Sequence, residues 1–242
     1  MHGYYECQAL YFKQFVINQD RCAMKIGTDG VLLGAWVEVS NAGTALDVGT
    51  GSGVIAIMLA QRSAHLQIHA VEVDDLAFEQ AAENMHNSPW ADRLTIIPNS
   101  IQEYAAECTG KYDLIVSNPP FFTGGTFSQN QDRNSVRHTV KLPHGDLLGA
   151  ARTLLAPEGR FCVILPYIEG LRFLELAEGY HLHCSHMTEV RTKADKPVER
   201  LLMQFERQPR ETVVDGLVIQ KEDNNDWTEA YMALTRAFYL YM

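Results

Sequence analysis

The stretch Thr44-Ala45-Leu46-Asp47-Val48-Gly49-Thr50-Gly51-Ser52-Gly53-Val54-Ile55-Ala56-Ile57-Met58-Leu59-Ala60 decides the fold. Its first five residues read as a short buried strand, and the run from Val54 reads as a helix, with three glycines in the turn between them. Glycines here let the chain turn sharply and let a ligand lie directly against backbone amides. The spacing G-x-G-x-G departs from the dinucleotide fingerprint G-x-G-x-x-G, because Val54 stands where the third glycine belongs. A diphosphate cradle is therefore disfavoured. The Asp47 carboxylate at the strand end suits a cationic ligand better.

Outward from this turn, strands and helices alternate. Strands are expected at 68–73, 94–97 and 112–116, with a helix from Asp75 to about Asn87. A helix at 146–155, a strand at 161–165 behind the turn Pro157-Glu158-Gly159, and a helix near 169–178 continue the series. Such alternation predicts an α/β fold with a mostly parallel sheet covered on both faces. Residues 180–190 and 198–206 read as two longer strands, and so short a connection between them must be antiparallel. Upstream, apolar residues alternate over 9–17 and a helical pattern covers 29–37. Residues 1–40 are thus expected as a short N-terminal cap and 41–242 as one compact domain. A final aromatic-rich helix at 227–242 would turn Tyr231, Leu234, Phe238 and Tyr241 inward.

The composition agrees. A chain of 242 residues, 46% hydrophobic and 21% charged, is the size and type of one globular α/β domain. No apolar run approaches the roughly 20 residues of a membrane span. The start Met1-His2-Gly3-Tyr4-Tyr5-Glu6 shows no basic region followed by an apolar one, so a cytoplasmic location is expected. Cys7, Cys22, Cys108, Cys162 and Cys184 lie far apart and read as free thiols rather than as metal ligands. His181, His183, Cys184 and His186 fall on alternate faces of a strand, and no metal is expected there. A net charge of −10 argues against indiscriminate coating of polyanions but leaves room for a local basic patch.

Two further motifs carry chemistry. Glu72 ends the strand after the glycine turn, where a carboxylate can accept hydrogen bonds from both hydroxyls of a ribose. Asn118-Pro119-Pro120-Phe121 follows the fourth strand, at the carboxyl edge of the sheet where ligands bind in such folds. The lone pair of a planar nitrogen is delocalised, which makes it a poor nucleophile. The Asn118 side-chain oxygen and the Pro119 carbonyl can accept its two N–H groups and draw it toward tetrahedral geometry. The prolines hold that backbone in one shape, and Phe121 offers a ring on which a planar substrate can stack.

With these residues the chain resembles the class I S-adenosylmethionine-dependent methyltransferases, in the branch with an N-P-P-[FY] motif. Their Rossmann-like, seven-stranded sheet ends in an antiparallel hairpin. The string Lys25-Ile26-Gly27-Thr28-Asp29-Gly30-Val31-Leu32-Leu33-Gly34-Ala35-Trp36 is similar to bacterial enzymes that methylate N6 of adenosine 37 in the anticodon loop of tRNA1(Val). The resemblance implies S-adenosyl-L-methionine as cofactor and tRNA as partner. It also implies that Thr28 and Asp29 close over the cofactor, that Asp47, Gly49, Gly51 and Gly53 cradle it, and that Glu72 holds its ribose. The adenine position, often Asp, falls within Asn99-Ser100. Asn118, Pro119 and Phe121 would be catalytic.

Basic residues that could grip RNA are Arg133, Arg137, His138 and Lys141 after the N-P-P-F turn, and Arg191, Lys193, Lys196 and Arg200 in the terminal hairpin. A planar nitrogen of protein glutamine or of ribosomal guanine N2 is an alternative acceptor. A catalytically silent RNA-binding module is a further alternative. A monomer is the expected state.

Overall fold

The computed structural model describes residues 9–120, 142–222 and 226–241. A small antiparallel hairpin of β1 (Ala9–Tyr11) and β2 (Val16–Asn18) leads to helix α1 (Thr28–Trp36). The alternating body follows as β3 (Thr44–Val48), α2 (Val54–Arg62), β4 (Gln67–Glu72), α3 (Asp75–His86), β5 (Leu94–Pro98), α4 (Ile101–Glu107) and β6 (Tyr112–Ser117). Then come α5 (His144–Leu154), β7 (Leu155–Pro166), α6 (Tyr167–Glu178), β8 (His183–Arg191), β9 (Arg200–Glu206), β10 (Val213–Val218) and α7 (Glu229–Thr235).

Eight strands form the main sheet in the order β10-β8-β9-β7-β6-β3-β4-β5. Strand β9 pairs antiparallel with both β7 and β8, and every other pairing is parallel. The chain leaves β3 toward β4 and β5, then returns to lay β6 and β7 on the other side of β3. The reversal falls between β3 and β6, and a crevice opens there at the carboxyl ends of the strands.

Side chains alternate across the sheet with the strand period of two. On β7, Cys162 and Ile164 join the core beneath α1, α2 and α7, whereas Phe161, Val163 and Leu165 join the one beneath α4, α5 and α6. The second core is centred on Phe161, Phe173 and Phe205, with ring centroids 5.7–6.2 Å apart. Each fully buried side chain of this size contributes on the order of 2–3 kcal/mol.

The structure departs from or adds to the sequence expectations in four places. An eighth strand, β10, extends the seven expected; it pairs with β8, and Asp215 accepts from the Thr188 hydroxyl and meets His186 at 3.0 Å. Helix α4 occupies a stretch between β5 and β6 for which the sequence sets no expectation. The Pro157-Glu158-Gly159 turn lies inside β7, bulging from the ladder between the pairs Tyr112–Leu155 and Leu114–Arg160. The last helix is only seven residues long: Tyr231 and Phe238 are buried as expected, but Tyr241 is 94% exposed. Beyond α7 the chain folds onto the N-terminal hairpin, where the Lys13 amide donates to the Phe238 carbonyl and Phe12 stacks on Phe15 and Tyr239.

Candidate active site

Gly49, Gly51 and Gly53 all take positive φ, at 69°, 57° and 83°. Any other residue type at these angles costs about 1–2 kcal/mol. A Cβ on Gly53 would press on Met85 and Ala81, so this glycine lets α2 start against α3. A Cβ on Gly49 or Gly51 would meet nothing within 4 Å. These two therefore present bare backbone to open space, as a ligand cradle requires.

Asp47 braces the loop from behind. Its carboxylate accepts from the Thr50 hydroxyl at 2.6 Å and from the Ala56 amide at 3.2 Å, and the side chain is fully buried. Burial, with a smaller push from the Glu72 charge, drives the carboxyl up to about 7 against the pull of those two hydrogen bonds. The residue expected to face a cationic ligand is instead not part of the cavity wall; it sets the shape of the turn.

Glu72 is at the end of β4 and performs two tasks. One oxygen accepts from the Gly51 amide at 2.8 Å, and the other accepts from Val73 and Asp74 at 2.9 and 3.0 Å. These bonds fix the carboxylate in the wall of a cavity of about 210 Å³ that also takes in Gly49, Gly51, Ser100, Asn118 and Pro119. Ser100 caps α4 in a reciprocal arrangement with Glu103, which explains that helix. Asn99 turns its side-chain oxygen to the Ser100 amide at 2.9 Å.

On the far side of the crevice, β6 delivers Asn118-Pro119-Pro120 to the same cavity. The Asn118 Oδ1 is buried and has no hydrogen-bond partner among the described residues. A carbonyl left so costs about 1–3 kcal/mol and is retained where a ligand supplies the missing donor. The Asn118 amide nitrogen lies 3.8 Å from where a Gly30 Cβ would stand, so the first turn of α1 backs it. Phe121, Arg133 and Arg137, with His138 and Lys141, lie outside the described residues.

Thr28 and Asp29, which the resemblance assigns to the cofactor, line a second cavity, where Asp29 accepts from the Arg200 guanidinium at 2.8 Å. The segment that closes the first cavity from the N-terminal side is Cys22-Ala23-Met24. Its position depends on the return of the chain over β2, where Asn84 bonds the Asn18 backbone in both directions and Gln80 receives the Arg21 amide. Nothing in residues 22–24 themselves signals this. Burial pushes the Cys22 thiol up to about 11, so it stays a neutral wall group at physiological pH. Lys193 and Lys196 lie beyond the end of β8, at the carboxyl edge of the sheet; Lys193 donates to the Glu222 carbonyl at 3.3 Å and Lys196 lies 3.8 Å from Asp195. Among the described residues no three His, Cys, Asp or Glu side chains come together as a metal set, and no helix is long and apolar enough to cross a membrane.

The open cradle at Gly49 and Gly51, the anchored Glu72 and the orphaned Asn118 acceptor fit a ligand with a ribose and a reactive group at the switch point. Together with the sheet order, they define a class I S-adenosylmethionine-dependent methyltransferase. Solved structures share the fold: a predicted O-methyltransferase from Agrobacterium tumefaciens superposes with a TM-score of 0.70 at 14% identity, over 87% of this chain and 96% of its own. A ribosomal protein L11 methylase from Lactobacillus delbrueckii gives 0.52 at 18% identity, over 74% and 77%.

The methyltransferase small domain family matches residues 23–165. Bacterial proteins named tRNA1(Val) (adenine(37)-N6)-methyltransferase match almost end to end. The one from Pectobacterium carotovorum is 44% identical over 96% of this chain and 93% of its own, and that from Histophilus somni is 45% identical over 96% and 98%. The chain belongs to this family of tRNA1(Val) (adenine(37)-N6)-methyltransferases.

Proposed function

We propose that the chain transfers a methyl group from S-adenosyl-L-methionine to N6 of adenosine 37 in the anticodon loop of tRNA1(Val). The observation that carries this reading is the buried, unpaired Asn118 Oδ1 at the lip of the glycine-loop cavity. The names of the near full-length relatives supply the acceptor.

When bound, the cofactor supplies an electrophilic methyl carbon. Gly49 and Gly51 would lie against it, Glu72 would accept its ribose hydroxyls, and Ser100 or Asn99 would meet its adenine. Asn118 Oδ1 and the Pro119 carbonyl accept the two N–H groups of the target amine and aim its lone pair at the methyl carbon. No base is needed before transfer, since the methylated cationic amine loses its proton readily. Catalysis is then orientation plus two fixed acceptors. Phe121 stacks the target base, which leaves its loop stack for a few kcal/mol. Arg133, Arg137, Lys193 and Lys196 hold the RNA backbone, giving an otherwise acidic, cytoplasmic, monomeric protein a local grip.

The test is transfer of labelled methyl from S-adenosylmethionine into unmodified total tRNA, followed by nucleoside analysis. Label in N6-methyladenosine of a valine tRNA is the expected result. Label appearing instead in protein glutamine or in ribosomal guanine would reassign the acceptor.

A further inference from the structure

The second cavity, about 260 Å³, is formed by four segments that meet only in the folded chain. The first turn of α1 brings Asp29, the hairpin brings Thr192, Glu199 and Arg200, the connection after β10 brings Gln220, and Trp227, bridged to Gln220, closes the space. Because β9 runs against its neighbours, its first residue and the last residues of β8 and β10 all lie at the carboxyl edge of the sheet. This is the edge at which Asn118 leaves β6. Two to four strand spacings, about 10–19 Å, separate the cavity walls from the catalytic turn.

Its chemistry suits a flat, neutral heterocycle. Trp227 lies against Tyr231 with ring centroids 5.1 Å apart, giving an aromatic wall. Gln220 carries both a donor and an acceptor, and carboxylate and guanidinium groups bring one kind each. Two carboxylates, Asp29 and Glu199, stand against one guanidinium, so a phosphate inside would be repelled. The walls are fixed by backbone bonds: Gln220 to Thr192 at 2.8 Å, Ile219 to Arg191 at 2.9 Å and Thr228 to Ile219 at 3.0 Å. The Thr192 hydroxyl ties Glu199 at 2.6 Å. The volume lies below the roughly 300–1,000 Å³ of sites for drug-sized ligands, which leaves room for little more than one base.

We propose that this cavity captures an unstacked base of the RNA that flanks the methyl acceptor, a second anchor on the same substrate. Single-stranded loops are read in this way, with a splayed base stacked on an aromatic ring and its edge hydrogen-bonded. The inference rests on the reading that the substrate is an RNA loop.

The experiment uses the full chain and a set of anticodon stem-loop RNAs, each with one base other than the acceptor removed to leave an abasic sugar. For the wild type, one position close to the acceptor should raise KM about tenfold, the scale of one lost base-stacking contact. Gln220→Leu and Trp227→Ala should raise KM for intact RNA by a similar factor, with kcat and S-adenosylmethionine affinity kept. Trp227→Phe, which keeps a stacking ring and guards against misfolding, should recover most of the loss. With the sensitive abasic RNA, variants and wild type should behave alike, because the contact is already gone. Penalties that multiply would overturn the inference, as would an unchanged KM in both variants. A fall in kcat on every RNA would assign the cavity to the acceptor adenine, and a loss of cofactor affinity would make its role structural; either result overturns it. Wild-type protein that methylates no RNA at all would instead defeat the functional reading itself, and this inference with it.

Discussion

The two cavities differ in how they are made. The first is built from short runs at the ends of consecutive strands: the glycine turn after β3, Glu72 after β4, Asn99-Ser100 after β5 and Asn118-Pro119 after β6. Its glycine turn is held by two carboxylates, Asp47 from behind and Glu72 from the wall. The second draws single side chains from residues as far apart as Asp29 and Trp227, and its stiffness comes from cross-links between loops. A site of the first kind is marked by motifs, because the fold repeats one geometry at each strand end. A site of the second kind has no motif, because its members share only a place.

Experiments can break that contrast. The largest effect is expected for Asn118→Ala, which should lower kcat about 10²- to 10³-fold, the usual cost of removing one preorganised polar contact to the reacting group. Calorimetric titration of S-adenosylmethionine should find its affinity nearly unchanged; a comparable loss of binding would make Asn118 a cofactor ligand rather than a substrate one. Next, Gly51→Ala adds a methyl on the open side of the cradle at φ +57°. It should weaken cofactor binding about tenfold or more while Tm falls by a few degrees. Gly53→Ala should reverse the ranking, since its Cβ meets Met85. A pair of variants with equal effects on both measurements would dissolve the distinction between cradle and hinge.

Asp47 gives a smaller, pH-dependent effect. An unfolded aspartate ionises near pH 4, whereas this buried one does so at about 7. Between those values the folded chain holds a proton that the unfolded chain has released, so the contribution of Asp47 to stability falls as pH rises from about 4 to about 7. Asp47→Asn should flatten that part of the Tm curve and gain on the wild type by several degrees between pH 5 and 8. Parallel curves would mean that the carboxylate stays ionised throughout. The smallest change is expected for Asp29→Asn, which weakens the partly exposed contact to Arg200: about 1 kcal/mol or less in stability, with cofactor affinity held within twofold. A marked drop in that affinity would return Asp29 to the first cavity and undo the division between the two.

Legibility in the sequence follows the same contrast. The body from β3 to β7 was readable because strand period, helix period and glycine turn agree over consecutive residues. Helix α4 is hard to read because it is only seven residues long, too short for the helical spacing of Ile101, Tyr104 and Ala105 on the second core to stand out. Strand β10 is illegible in the sequence because Asp215 and Gly216 interrupt it and its first four residues are exposed. The terminal helix reads as longer than it is because Phe238 keeps helical spacing while the chain past Thr235 turns to bridge the hairpin, Tyr239 pairing with Phe12. The string around Thr28 and Asp29 suggests a single task at the cofactor. The fold gives that string two, with Gly30 behind Asn118 and Asp29 beside Arg200.

That last juxtaposition gives the first turn of α1 the character of a partition. Neighbouring residues of one rigid turn touch the transfer turn on one side and the second cavity on the other. A guest that displaces the partition from either side does work on the other. Thermodynamic reciprocity then requires the influence to be mutual and equal: whatever factor an RNA base in one chamber adds to the affinity of the cofactor in the other, the cofactor returns to the RNA.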